Sequence, residues 1–462
     1  MSLGGGSGVV SEPVSLVPAG WDLFVPPVPE GASREFGKDH REAYAYVVRR
    51  ARSDGLLRDQ GLDIPLAPVV TGLEPRAERV LRERCLTVLA CLERIAAAYH
   101  SEPELREFLD VPFPLREWVL ADERATAHRI DYCRFDAIGD HLPDLRVLEF
   151  NGDYPLGLLT SGLLARYWQR APVIGELISG WDTTGSLIEG DTWLIDELLA
   201  LGATQGVGGE RVALLCAAEF QSLPEIGLLA QQARRRGLIP VITEPQKLAL
   251  EPDVRLAHLV YPTWALLAGM AGYPALAERI LTGELVVSNG ITGRAVGSNK
   301  LALAVMSDPR FQRLFTGAER DAIAALVPWS RKLGVGVSAD EVLAQREDVV
   351  LKAPYEAMSR AVYLGREHSP ARWRELVESA ARQGWLVQEF VGSQRIVTQD
   401  GCFYRTLGVG IANSHVVGYT ARLSTSLLAT FFAGGGVQAV LASDAGAPRS
   451  AGELRPDISR SG

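Results

Sequence analysis

Apolar and polar positions along the chain follow two periods. In residues 74–99, Val80, Leu81, Cys85, Val88, Leu89, Leu92 and Ile95 recur at three- and four-residue spacing with Arg and Glu between them, which predicts an amphipathic helix with a structural role. Past residue 129 the period shortens: 129–136 reads as a strand, 141–144 as a turn and 146–151 as a second strand, together a hairpin. Residues 211–218 form a nearly continuous apolar run, as expected of a parallel strand buried on both faces. A helical pattern follows over 223–236, Gly237 caps it, and 238–243 is the next strand. This βαβ unit predicts a three-layer α/β domain.

In the C-terminal half, one helix is expected after Ser288-Asn289-Gly290 to carry Lys300 through Met306, and another over 319–326, ending at Val327-Pro328-Trp329. A strand at 348–353, a helix at 370–383 and a strand at 385–391 follow, and 402–423 alternates like antiparallel strands. Residues 1–35, rich in Gly, Pro and Ser, read as an arm without a core of its own, and 444–462 as a polar tail. The stretch 423–443 carries no charge, but its Gly434-Gly435-Gly436 triplet is a poor helix interior. A buried strand, a glycine turn and a second buried segment fit it better than a membrane helix.

A chain of 462 residues with 47% hydrophobic content can bury a sizeable core in two to four domains. Its net charge of −9 argues against a broad basic face for nucleic acid or anionic membrane. Five widely spread cysteines without C-x-x-C read as free thiols of a reducing compartment, and residues 1–10 lack the pattern of a signal peptide, so a cytoplasmic location is expected. Common catalytic signatures are missing: there is no P-loop, H-E-x-x-H or nucleophile elbow, and the turn Ala217-Ala218-Glu219-Phe220-Gln221 lacks the dinucleotide-binding glycines. Only five of the 47 basic residues are lysine. Where arginine is the default cation, a lysine in a suggestive place stands out.

Lys352 is such a residue: it ends the apolar run Val349-Val350-Leu351 and opens the turn from Ala353 to Arg360. Further on, Gln388-Glu389-Phe390-Val391 places an amide and a carboxylate at another strand end, the chemistry of a hinge that hydrogen-bonds an adenine edge. Lys300 stands upstream, after Gly297-Ser298-Asn299. This ordered set resembles the ATP-grasp superfamily, and within it glutathionylspermidine synthase and its relatives. The segment from Ser298 to Asp308 is similar to that family's lysine-bearing helix, and Glu319-Arg320 to Ile323 leads similarly into Val327-Pro328-Trp329. Arg134-Phe135-Asp136 followed by Leu148 to Pro155 is similar to its metal-binding pair of strands. The likeness spans roughly residues 125–440.

The resemblance implies an α/β (α+β) chain with an ATP-grasp fold, a pre-ATP-grasp three-layer α/β domain and an N-terminal metal-binding hairpin. The corresponding division is an arm at 1–70, a helical segment plus hairpin at 71–205, the pre-ATP-grasp domain at 206–295, the nucleotide-binding region at 296–443 and a tail at 444–462. It further implies that Lys300 and Lys352 hold the phosphates of ATP, that Gln388, Glu389 and the Val391 backbone hold adenine, and that Arg360 contacts an acyl-phosphate. The chain has no room for the amidase module of some relatives. It also departs from the pattern in having no glycine between Lys352 and Gly365, so a phosphate-covering lid is short or differently built.

ATP chemistry needs hard oxygen ligands for magnesium. Most ATP-grasp ligases place them in their last strands, but between Asp400 and Asp444 this chain has no Asp or Glu, only Asn413, so the metal must be held elsewhere. Glu149 and Asn151 point to one face of a strand, with Phe150 turned to a core, and Asp136 on the paired strand completes a set suited to Mg2+. Arg134 shares the face of Asp136 and could stabilise charge on a transferring phosphoryl group; Arg422 is a further arginine candidate. The expected function is therefore an ATP-dependent carboxylate–amine ligase acting through an acyl-phosphate and releasing ADP and phosphate. Its partners are a small-molecule carboxylate and an amine, such as an amino acid, a peptide or a simple amine. Two other readings stay open: a catalytically inactive ATP-grasp scaffold that binds nucleotide or a partner, and a group transferase built around the Rossmann-like unit at 211–243. Proximity of Lys300, Lys352, Glu389, Asp136 and Glu149 discriminates among them, and a hairpin remote from Lys352 would remove the metal site.

Overall fold

A computed structural model describes residues 21–24, 34–59, 62–73, 75–122, 130–139, 144–153, 155–172, 192–263, 273–356, 359–393, 395–398, 401–428 and 436–442. In chain order the elements begin with β1 (Trp21–Phe24), α1 (Arg34–Ser53), the short pair β2 (Arg58–Asp59) and β3 (Leu62–Asp63), β4 (Leu66–Leu73), α2 (Pro75–Ala98), α3 (Pro103–Leu109) and α4 (Leu115–Ala121). The hairpin strands β5 (Tyr132–Ile138) and β6 (Arg146–Asn151) precede α5 (Leu158–Gln169) and α6 (Trp193–Thr204). Next come β7 (Arg211–Cys216), α7 (Pro224–Arg235), β8 (Ile239–Thr243), β9 (Leu256–Val260), α8 (Tyr273–Leu281) and β10 (Val286–Val287). α9 (Gly290–Gly297), α10 (Leu301–Ser307) and α11 (Gly317–Leu326) lead into β11 (Ser330–Lys332), α12 (Ala339–Ala344), β12 (Val349–Lys352), β13 (Val362–Leu364), α13 (Pro370–Arg382) and β14 (Leu386–Glu389). The described part closes with β15 (Arg395–Thr398), β16 (Gly401–Ala412), β17 (His415–Ser424) and β18 (Gly436–Ala442).

The architecture is mixed α/β, with three principal sheets. The largest has the order β1-β4-β18-β17-β16-β5-β6, with β15 paired to β16. Period-two alternation gives it two unlike faces. Phe135, Ala137, Phe150, Leu407, Val409 and Ala421 turn to one side and pack on the apolar stripe of α2, where Cys85, Val88, Leu92 and Ile95 are fully buried. On the other side α1 and α5 cover the β4–β18 end, through Val47, Val70, Leu164, Trp168, Ala439 and Leu441, and the start of α5 reaches over β17 and β16 through Ser161 and Leu158. The remaining stretch, β17-β16-β5-β6, is the floor of a cavity.

The second sheet, β10-β9-β7-β8, is parallel throughout, as the apolar run of β7 anticipates. The third, β11-β14-β12-β13, is antiparallel and has its own small core of Leu333, Val342, Leu351, Trp373, Val377 and Val387. It faces the floor of the large sheet across the cavity.

One expected helix is instead two. Ser298, Asn299 and Lys300 separate α9 from α10, because the Asn299 side chain accepts from Leu301 N (2.9 Å) and Lys300 N donates to Pro354 O (3.0 Å), leaving the intrahelical ladder. Lys300 therefore precedes a helix rather than riding on one. Within the expected N-terminal arm, Trp21–Phe24 pairs antiparallel with β4. Residues 1–20, 25–33, 141–143 of the expected turn, Gly434, Gly435 and the expected tail at 444–462 lie outside the described residues. Of the five cysteines, all free, four are buried and Cys402 is half-buried. Among the described residues no helix is long and apolar enough to cross a membrane.

Candidate functional site

The floor is set by strand register. Arg134 pairs with Asn151 and Asp136 with Glu149 across β5 and β6; on the other flank of β5, Asp136 faces Gly408 and Arg134 faces Gly410. β17 then pairs Thr420 with Gly408 and Arg422 with Thr406. Arg134, Asp136, Glu149, Asn151, Thr406, Thr420 and Arg422 all line the cavity. Phe135 and Phe150 pack together on the reverse face, ring centroids 4.6 Å apart. Gly408 is required by close approach: a Cβ there would lie 2.5 Å from Thr420 Cγ2 and 2.8 Å from Arg134 Cδ. Its bare backbone lets the Arg134 side chain lie flat across β16.

Asp136, only 2% exposed, is the electrostatic centre of this floor. Its Oδ1 accepts from Arg134 Nε (2.6 Å), and its Oδ2 accepts from Arg134 Nη2 (3.0 Å), Arg422 Nη2 (2.5 Å) and Asn151 Nδ2 (3.2 Å). Burial alone would raise its pKa, but the Arg134 and Arg422 guanidiniums outweigh burial and hold the carboxyl well below the usual range. Arg134 also donates to the Leu156 carbonyl. Two guanidiniums, one from β5 and one from β17, thus converge on one carboxylate.

The lysines sit at the β6 end. Lys352, 5% exposed, donates to Gln388 Oε1 (2.6 Å) and to Leu148 O (3.0 Å) on the hairpin. Burial pushes its pKa down to about 8, an effect Glu149 partly offsets and Lys300 reinforces. Lys300 Nζ donates to Glu356 O (2.5 Å) and stands 3.4 Å from Glu149 Oε2. Glu389 and Val391 line the same cavity. Gln388 does too, but its amide is committed within the protein, accepting from Lys352 and donating to Ser330 Oγ (3.2 Å). Arg360 is exposed and is not among the described residues lining the cavity, although its neighbour Ser359 is. The cavity of about 280 Å³ lies near the small end of ligand pockets, ~300–1,000 Å³.

No protein-family model and no curated protein matches this chain. Among solved structures it is similar to a glutathione synthetase-like effector from Globodera pallida in its apo form, at 11% identity and a TM-score of 0.52, over 88% of this chain and 96% of that one. The likeness is one of fold. A candidate gamma-glutamylcysteine synthetase from Methylobacillus flagellatus KT aligns at 14% identity over 75% of this chain and 84% of its own, but its TM-score of 0.37 carries no argument.

Whether the residues suit a nucleotide and its metal can be judged from their chemistry. Two buried lysines, Lys300 and Lys352, beside the cavity suit a polyanion. Asp136, Glu149 and Asn151 offer hard oxygen donors that suit Mg2+, with one constraint: a metal at Asp136 must displace a guanidinium that already occupies the carboxylate. Among the described residues no group of three or more His, Cys, Asp or Glu is gathered for a metal. Sequence reading missed Glu225, whose buried carboxylate accepts from Leu159 N (3.2 Å) and Thr160 N (3.3 Å) at the start of α5, and Ser161, which donates to Thr420 Oγ1 (2.7 Å). Glu225 opens α7 on a separate unit, and no local pattern signals a cap for a helix 65 residues earlier.

Proposed function

We propose that the chain is an ATP-dependent carboxylate–amine ligase that joins a small acid to an amine through an acyl-phosphate, releasing ADP and phosphate. The observation that carries this reading is the meeting of Lys300 and Lys352 with the acid-bearing hairpin: Lys352 lines the cavity and donates to Leu148 O, and Lys300 lies against Glu149, which lines the same cavity. On this reading residues 296–443 form the nucleotide-binding region and 206–295 a flanking pre-ATP-grasp α/β domain. Lys300 and Lys352 neutralise phosphate charge, and Gln388 positions Lys352 rather than touching the base. Glu389 and the Val391 backbone face the adenine. Glu149 and Asn151, with Asp136 once a guanidinium turns away, would hold Mg2+, which supplies Lewis-acid charge along the phosphates. Arg134 and Arg422 hold the acid carboxylate so that one oxygen attacks the γ-phosphorus, the bond from that phosphorus to the β–γ bridging oxygen breaks, and ADP leaves. The amine then attacks the acyl carbon, loses a proton, and phosphate leaves. Positioning and charge stabilisation suffice, so no nucleophilic side chain is needed.

The experiment is ADP release with a panel of acids and amines. Lys352→Ala is expected to lose at least 100-fold in kcat/KM, and full activity in that variant would sink the mechanism. The double engagement of Asp136 by arginine favours one second reading, a scaffold that binds nucleotide without turning it over. Nucleotide binding unaffected by Mg2+, with no ADP formed from any acid, would support that reading.

A further inference from the structure

The cavity has a second compartment that the nucleotide reading does not use. Across the large sheet the floor runs from Glu149 and Asp136 through Thr420 and Arg422 to Val437, which pairs with Arg422 on one side and Leu66 on the other. Beyond Arg422 the lining becomes mostly apolar: Val437 on the floor, Leu164 from α5, Leu56 and Ile64 from the segment joining α1 to β4, and Phe220 and Leu223 ahead of α7, with Thr160 and Ser161 of α5 as uncharged polar members. Among the described residues lining this half, Glu225 is the charged one, and its carboxylate is turned to the backbone amides of Leu159 and Thr160.

We infer that the acid substrate is a monocarboxylate with an uncharged, apolar chain, its carboxylate at Arg134 and Arg422 and its chain against Ile64, Leu164, Phe220 and Val437. This rests on the ligase reading and names its acid. Arg134 and Arg422 both line the cavity beside this half and converge on Asp136, so their guanidinium forks stand together where one carboxylate would be received. A second charge along the chain would enter the apolar half and find no cationic partner there among the described residues. Each buried methylene is worth about fourfold in affinity.

The test uses hydroxylamine in place of the unknown amine. Its nitrogen attacks the acyl carbon of the acyl-phosphate, phosphate leaves, and the hydroxamate is read by its ferric colour. Over butanoate, pentanoate, hexanoate and 4-methylpentanoate, kcat/KM is expected to rise about fourfold per added carbon until the compartment is full. Succinate, glutamate and a γ-glutamyl dipeptide are expected at least 100-fold lower. Calorimetric titration of hexanoate without nucleotide gives a readout independent of turnover, and Val437→Thr, a near-isosteric change, should weaken it several-fold. Ile64→Lys, at a half-buried position, should shift preference toward succinate. Preference for the dicarboxylates or the dipeptide, or no hexanoate binding, overturns the inference. Hexanoate binding in a protein that binds no nucleotide would instead overturn the ligase reading and leave the compartment standing.

Discussion

Lys352 keeps a charge in a place that disfavours it. Its depressed pKa of about 8 comes from burial, with Lys300 adding to it and Glu149 and Asp136 opposing it. At pH 7 it is protonated in the folded and unfolded chain alike. Between about 8 and the unfolded value near 10.4 the unfolded chain holds a proton that the folded chain has released, so its contribution to stability rises with pH across that window. A polyphosphate beside it reverses the preference. At pH 8, nucleotide binding should therefore take up about half a proton, falling toward zero at pH 6.5 and vanishing in Lys352→Met. Calorimetry in buffers of different ionisation enthalpy measures this directly. Lysine scarcity drew attention to Lys352 in the sequence, whereas the partner of Asp136, Arg422, lies 286 residues away and has no local signature.

At the scale of elements, β16 does more than connect β5 to β17. Gly408 and Gly410 leave a bare track on the cavity face, on which Arg134 and Leu158 come to rest. Gly408→Val should displace Arg134 and Thr420, lowering kcat/KM at least tenfold while costing about 1–3 kcal/mol in stability, as overpacked sites do. A denaturant titration beside the activity assay separates the two effects. Periodicity made α2, the hairpin strands and the βαβ unit legible, because each is a local pattern. The break before α10 was also legible in principle: Ser298-Asn299 directly ahead of an apolar run is an N-terminal capping signal, but the helical spacing on both sides obscured it. Gln388 shows the opposite difficulty. Its amide chemistry suited a base edge, yet the strand alternation of β14 turns it to Lys352 and Ser330.

At the scale of the whole molecule, the large sheet ties the two ends of the described chain together through the parallel pair β4–β18, a contact no local pattern encodes. The cavity lies between this sheet and the small antiparallel one, so a ligand filling it bridges both. At 100 times its dissociation constant, a non-hydrolysable ATP analogue should add about 2.7 kcal/mol, which for a chain of this length shifts the melting midpoint by about 3 °C. Differential scanning calorimetry checks the size. The small unit carrying β11 to β14 is entered at Trp329 and left at Glu389, and these points adjoin: Ser330 pairs with Gln388, and Glu389 N donates to Trp329 O (2.9 Å). Such an arrangement is an insertion with its own core. Among the described residues no strand of this unit pairs with the large sheet, and bonds such as Lys332 to Phe108 O (2.8 Å) and Lys352 to Leu148 O (3.0 Å) tie it to the rest of the chain. A ligand gripped by Lys352 from one side and by Arg422 from the other would then cross-link two sheets that share no strand.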